Sequence, residues 1–141
     1  NSPDTAKPYS WLQHGDPRTF AAMATPAGLA EIKTYADGIG PWKVYIIPAQ
    51  GVDGAGNPVK ALSQASNMAP TSLVTDAHRL GLFVHPFTFR DEAARLTATY
   101  KGDPKAEYKA FFDAGVDGVF TDFSGTGRAA LEEWLKARNA R

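Results

Sequence analysis

The 141-residue chain reads as an α/β domain built on a parallel β/α array. The stretch from Thr71 to Trp134 runs helix, strand, helix, strand, helix, with a short turn at each junction. Its strands, Leu82 to Phe89 and Gly118 to Phe123, are apolar with little alternation, as parallel strands covered by helices are. Gly81 and Gly115 stand between a helix and the strand that follows, where a left-handed residue stops the helix. The recurrence of helix, glycine and strand is the pattern of a β/α array, whose chemistry gathers at the C-terminal ends of the strands.

The elements follow in order. Residues Asn1 to Pro26 hold three prolines before the last, with Tyr9, Trp11 and Leu12 as scattered anchors, and read as an irregular segment. Thr25-Pro26 supplies an N-cap and a proline at the first helical position, so a helix carrying Leu29 and Ile32 runs to about Ala36. Asp37-Gly38-Ile39-Gly40-Pro41 breaks it, and a strand follows through Gly38-Ile39 or through Val44 to Ile47. Gln50 to Pro58 is a turn-rich excursion and Lys60 to Ala69 a surface loop. Thr71 or Ser72 caps a helix with Leu73, Val74, Ala77 and Leu80 on one face. Pro86 lacks a ladder donor, which places the end of regular pairing near it. Ala106 to Ala114 forms a helix with Tyr108, Phe111 and Phe112 inward. Ala129 to Ala137 forms the last, with Leu131, Trp134 and Leu135 on one side and Lys136, Arg138 and Arg141 toward its C-terminal end.

Composition removes several classes of function. Fifteen basic and fifteen acidic side chains cancel, so no net charge steers nucleic acid or an anionic membrane toward the chain. The absence of cysteine removes disulfides, thiol catalysis and thiolate metal sites. No apolar run approaches the ~20 residues a transmembrane helix needs. The first residues do not form a charged leader followed by an apolar stretch, and a signal sequence already cleaved is compatible with this.

Three phrases carry a family resemblance. Tyr35-Ala36-Asp37-Gly38-Ile39-Gly40-Pro41, the run from Ala77 through His85-Pro86-Phe87-Thr88-Phe89-Arg90, and Gly115-Val116-Asp117-Gly118-Val119-Phe120-Thr121-Asp122-Phe123 resemble the C-terminal half of glycerophosphodiester phosphodiesterases, especially the larger bacterial secreted type. Order and spacing agree from about Phe20 to Leu131. The resemblance implies a partial TIM barrel, with this chain supplying roughly the last three units of a (β/α)8 barrel. It implies hydrolysis of glycerophosphodiesters to an alcohol and glycerol 3-phosphate, with a divalent cation (Ca or Mg) held by carboxylates and two histidines as general acid and base. In the family those groups lie in the N-terminal half, in a His-Arg-Gly motif and in Glu-rich motifs. His-Arg-Gly does not occur here, no strand carries Glu-Xaa-Lys, and His78-Arg79-Leu80 lies inside a helix. The resemblance therefore implies a chain without catalytic residues, metal ligands or bound cation of its own. It further implies an N-terminal half-barrel chain or a second copy as partner, a small phosphodiester substrate, and a periplasmic or secreted location.

The candidate substrate-binding residues are Phe87, His85, Asp122, Asp37 and Arg90. In the family the penultimate strand ends in a Trp-Thr pair facing the glycerol, and Phe87-Thr88 occupies that place; the alternative for Phe87 is plain core. The last strand's Thr-Asp-(Phe or Tyr)-Pro is similar to Thr121-Asp122-Phe123, with Ser124 in the proline's position. Asp122 caps the last helix, as Ser124 also could, or contacts a ligand. His85, at the end of a strand, binds a phosphate or moves a proton, or else packs or acts at one remove from a ligand, its facing relative to Phe87 depending on whether Pro86 causes a bulge. Asp37 is a turn former or a pocket residue beside glycines. Arg90 meets a phosphate bidentately or belongs, with Asp91 and Glu92, to a solvated turn; Lys43 has the same two readings. His14 and Asp16 make too small a ligand set for a metal. The rival reading is a free-standing, flavodoxin-like α/β module that binds an anion or a protein and catalyses nothing. A continuous sheet of four or five strands, including one from Asn1 to Leu12, would distinguish it.

Overall fold

The computed structural model describes residues 6–51 and 61–140. Helices α1 (Tyr9–Gln13), α2 (Phe20–Met23) and α3 (Pro26–Lys33) lead into strand β1 (Gly38–Ile39). Helix α4 (Leu73–Arg79), strand β2 (Phe83–Val84), helix α5 (Pro104–Asp113) and helix α6 (Ser124–Asn139) follow, with short 3-10 turns between. The helix starts follow their caps: the Thr25 hydroxyl accepts from the Gly28 N–H, and Asp103 accepts from the Lys105 N–H ahead of Pro104. Gly81 and Gly115 stop α4 and α5 at φ 69° and 90°.

β1 and β2 pair in parallel, with Gly38 opposite Phe83 and Ile39 opposite Val84. Backbone bonds carry the pairing further. Phe83, His85 and Phe87 donate to Asp37, Ile39 and Pro41 at 2.9 to 3.1 Å, and Lys43 donates to Phe87 at 2.9 Å. On the other side of β2 a third extended segment runs from Asp117 to Asp122. Asp117 donates to Val84, Phe120 to Pro86 and Phe89 to Phe120, at 2.9 to 3.0 Å. Three parallel segments thus lie side by side, with β2 in the middle.

The buried core lies on one face of these segments. Leu82 and Val84 point into a core with Leu29 and Ile32 of α3, Val74 and Ala77 of α4, Tyr108 and Phe111 of α5 and Ala130 of α6. Phe89 stacks on Tyr108 at 4.9 Å and meets Phe111 edge-on at 5.0 Å. Beneath Phe89, the Lys43 ammonium bonds both oxygens of Glu107 at 2.8 Å, and both side chains are buried. Burial pushes the Glu107 carboxyl upward, and the charge and hydrogen bond of Lys43 pull it back toward the ionised form.

Several expectations are corrected. The expected strand Leu82 to Phe89 is reduced to Phe83–Val84, because Pro41 and Pro86 remove ladder donors and the pairing beyond is isolated bridges, Trp42 with Phe87 and Phe89 with Thr121. The expected strand Gly118 to Phe123 is not a strand but an extended segment with that one bridge at Thr121. The first strand is Gly38-Ile39; Lys43–Tyr45 is a 3-10 turn. The N-terminal segment contains two short helices. Helix α6 begins five residues earlier than expected and has Phe123 at its N-cap, with no side-chain cap bond, so neither Asp122 nor Ser124 caps it. Its buried residues are Gly127 and Ala130, while Leu135 is exposed. The expected turn at 52–58 and Arg141 lie outside the described residues.

At the N-terminal end of the sheet Asp117 ties three elements together. One carboxylate oxygen accepts from the Val84 N–H and lies 2.8 Å from His78 Nε2 on α4. Burial pushes this carboxyl up, but the bonds from His78 and Val84 outweigh it and the net shift is downward.

Two predictions follow from these contacts. Lys43→Met leaves Glu107 buried without a partner and lowers the unfolding free energy by about 3 to 5 kcal/mol. The double variant Lys43→Met/Glu107→Leu recovers most of that loss in urea titrations. Because the Asp117 carboxyl is depressed on folding, its contribution is complete above the unfolded value of about 3.9 and lost as pH falls through the folded value. Asp117→Asn is accordingly less stable than the parent at neutral pH, and its urea midpoint falls less between pH 5 and pH 2.

Candidate functional site

Side chains alternate along β2, so Phe83, His85 and Phe87 share the face turned away from the helices. Phe83 and Phe87 are exposed and His85 is half-buried. Phe120 of the third segment joins them at 56% exposure. His85 sits 4.8 Å from Phe83 and 6.3 Å from Phe120, ring centre to ring centre. Two glycines make room for this row: a methyl group on Gly38 would stand 2.2 Å from the Phe83 ring, and one on Gly118 would stand 2.9 Å from the His85 ring. The Asp-Gly pairs at 37–38 and 117–118 therefore keep the open face passable for rings.

At the C-terminal ends of the strands, Trp42 pairs with Phe87, and both rings are about two-fifths exposed. They border a cavity of about 570 Å³ that runs beside β1 and is lined also by Phe20, Met23, Tyr35 and Tyr45. Among the described residues no charged side chain lines it.

A charged group lies farther along, past Phe89. Arg90 holds Glu92 through two nitrogens and Asp122 at 2.9 Å. The hydrogen bond from Arg90 brings the Glu92 carboxyl down to about 2, and the bond to Glu92, then the charges of Glu92 and Asp122, raise Arg90. Asp91 accepts from the Thr126 hydroxyl of α6 through one oxygen, and its other oxygen is buried without a hydrogen-bond partner among the described residues. Tyr108 hydroxyl bonds Thr121, whose Oγ1 also accepts from the Phe123 N–H. This network fixes the end of the third segment to α5.

The structure thus brings Phe87 and His85 to one open face, and Arg90 and Asp122 into an ion pair at the strand ends. Asp37 stands apart at the start of β1, 93% exposed, 3.6 Å from Lys33. Lys43 belongs to the buried pair with Glu107. His14 is bonded to the Ser10 carbonyl and Asp16 to Arg18, so they do not converge. The tripeptide Glu31-Ile32-Lys33 lies on α3, where Glu31 pairs with Arg18 at 2.7 Å. Trp42 escaped the sequence reading; its signal was the Pro41-Trp42 step directly after the glycine-rich strand.

The fit to a divalent cation is poor. Among the described residues no three His, Asp or Glu side chains gather as ligands, and the acidic groups at the strand ends are taken up by Arg90 and Thr126. A single orphaned oxygen of Asp91 does not make a cage.

The model of the glycerophosphoryl diester phosphodiesterase family matches residues 5–126. A glycerophosphodiester phosphodiesterase of Arabidopsis thaliana is 39% identical over 110 residues, which are 77% of this chain and 26% of that protein. A second one from the same plant is 36% identical over 132 residues, 92% of this chain and 14% of its own length. A glycerophosphodiester phosphodiesterase of Haemophilus influenzae is 33% identical over 106 residues, 74% of this chain and 25% of that protein. The chain thus spans about a quarter or less of these relatives. It belongs to the glycerophosphoryl diester phosphodiesterase family.

Proposed function

We propose that these residues are the C-terminal portion of a metal-dependent glycerophosphodiester phosphodiesterase, closing one side of its barrel and shaping the substrate pocket. The family match over residues 5–126, on a chain that spans about a quarter of its relatives, is the observation that carries this reading. Three parallel segments with helices on one face, and exposed rings on the other, suit staves of an incomplete barrel. The divalent cation, Ca or Mg, and the acid and base histidines belong in this reading to the remaining units, as does the partner surface that covers the open face. The resemblance to exported members suggests a periplasmic or secreted setting.

This chain's own part is to bind and exclude water. Phe87 offers an apolar surface to the organic part of a phosphodiester and His85 lies behind it among rings. Arg90, neutralised on two sides by Glu92 and Asp122, ties the loop after β2 to the end of the third segment and leaves little unpaired charge for a phosphate. No continuous sheet of four or five strands occurs among the described residues, and Tyr9–Gln13 is helical, so the flavodoxin-like alternative gains no support. No helix among the described residues is long and apolar enough to cross a membrane.

Two assays test the reading. The purified chain incubated with glycerophosphocholine and Ca or Mg is expected to release no glycerol 3-phosphate; turnover abolished by His85→Ala or Asp122→Ala would overturn that expectation. A chimera of the Haemophilus influenzae relative, with its matched region replaced by these residues, is expected to hydrolyse glycerophosphodiesters. A chimera that folds and is inactive contradicts the proposal.

A further inference from the structure

Resting on the phosphodiesterase reading, we infer that Trp42 joins Phe87 in a two-ring wall against which the uncharged, CH-bearing part of the phosphodiester lies, making Trp42 a residue that sets specificity.

Trp42 and Phe87 are opposite one another on neighbouring parallel segments, so their side chains emerge on the same side at the same level. Both rings are open, at 39% and 41% exposure, although ring surface left in water forgoes roughly 25 cal/mol per Å² of burial. They stand toward the C-terminal ends of the segments, the end at which β/α folds place their ligands. The backbone around them is held on both sides: Phe87 donates to Pro41 at 3.1 Å and accepts from Lys43 at 2.9 Å. Lys43 is in turn locked by Glu107 under Phe89. A wall fixed before binding loses little freedom when a ligand arrives. The described residues that line the adjoining cavity are uncharged and mostly apolar, a lining that suits carbon-bound hydrogens of a polyol or alcohol stacked on ring faces better than a phosphate.

The chain has three tryptophans, which gives the test its internal controls. Trp11 lies under Arg18 and Trp134 is bonded to Asp113, and neither lines the cavity beside the wall. Indole N–H resonances of the 15N-labelled chain are followed during millimolar titrations with glycerol 3-phosphate and, separately, glycerophosphocholine. A saturable shift of the Trp42 indole, with Trp11 and Trp134 unmoved and the shift lost in Phe87→Leu, is the expected result. Response to both compounds assigns the wall to the glycerol, and response to glycerophosphocholine alone assigns it to the alcohol. Shifts near Arg90 or Phe120 without Trp42, or no shift anywhere, overturn the inference. In the active chimera, Trp42→Leu is expected to raise KM several-fold with kcat nearly unchanged, because it removes binding common to ground and transition states. Unchanged KM overturns the inference while leaving the phosphodiesterase reading intact; an inactive parent chimera removes that reading and this inference with it.

Discussion

The parallel backbone ladder centred on Phe83 to Phe89 is the constraint on which the rest of the molecule depends. It joins segments that are distant along the chain, and only its central member is bonded on both sides. Because parallel neighbours need a crossover, each connection carries a helix, and every described helix that enters the core does so from the same face. The opposite face is left with Phe83, His85, Phe87 and Phe120. This is the surface that, in the proposed reading, the remaining units cover.

The ladder is weak as a sheet and is reinforced by side chains. Pro41 and Pro86 interrupt regular pairing at the C-terminal ends, and there the buried Lys43–Glu107 pair and the Tyr108–Thr121 bond join the segments to α5. At the other end Asp117 accepts from Val84 and lies beside His78, tying the third segment to β2 and α4. Burying an ion pair costs desolvation, so this anchor stabilises less than its short distances suggest, and it joins α5 to the segment after β1. A fixed α5 keeps Phe89 stacked, and Phe89 ends the strand that carries Phe87.

The helices and their order were legible in the sequence because local chemistry sets them. Thr25-Pro26, Asp103-Pro104, Gly81 and Gly115 act within a few residues of themselves. The strands were legible as apolar runs but not in length, since such a run does not reveal which N–H groups a proline has removed. The open face was hidden because Phe83, Phe87 and Phe120 look like core until one knows that helices occupy one side only. Lys43 and Glu107 are 64 residues apart, and no local pattern links them. Asp122 looked like a helix cap because it precedes α6, yet its carboxylate is drawn to Arg90. Family membership was legible from three phrases, whereas the roles of single residues depended on geometry.

An open edge beside β1 is the most direct consequence of this architecture. The N–H groups of Gly40 and Trp42 point away from β2 and have no hydrogen-bond partner among the described residues, whereas those of Phe83, His85, Phe87 and Phe120 are bonded. Amide hydrogen exchange of the isolated chain, resolved by residue, tests it. Strong protection at Phe83, His85, Phe87 and Phe120 with rapid exchange at Gly40 and Trp42 is the predicted pattern. Equal protection at Gly40 and Trp42 would mean that the edge is already closed, and would contradict the proposed incomplete barrel.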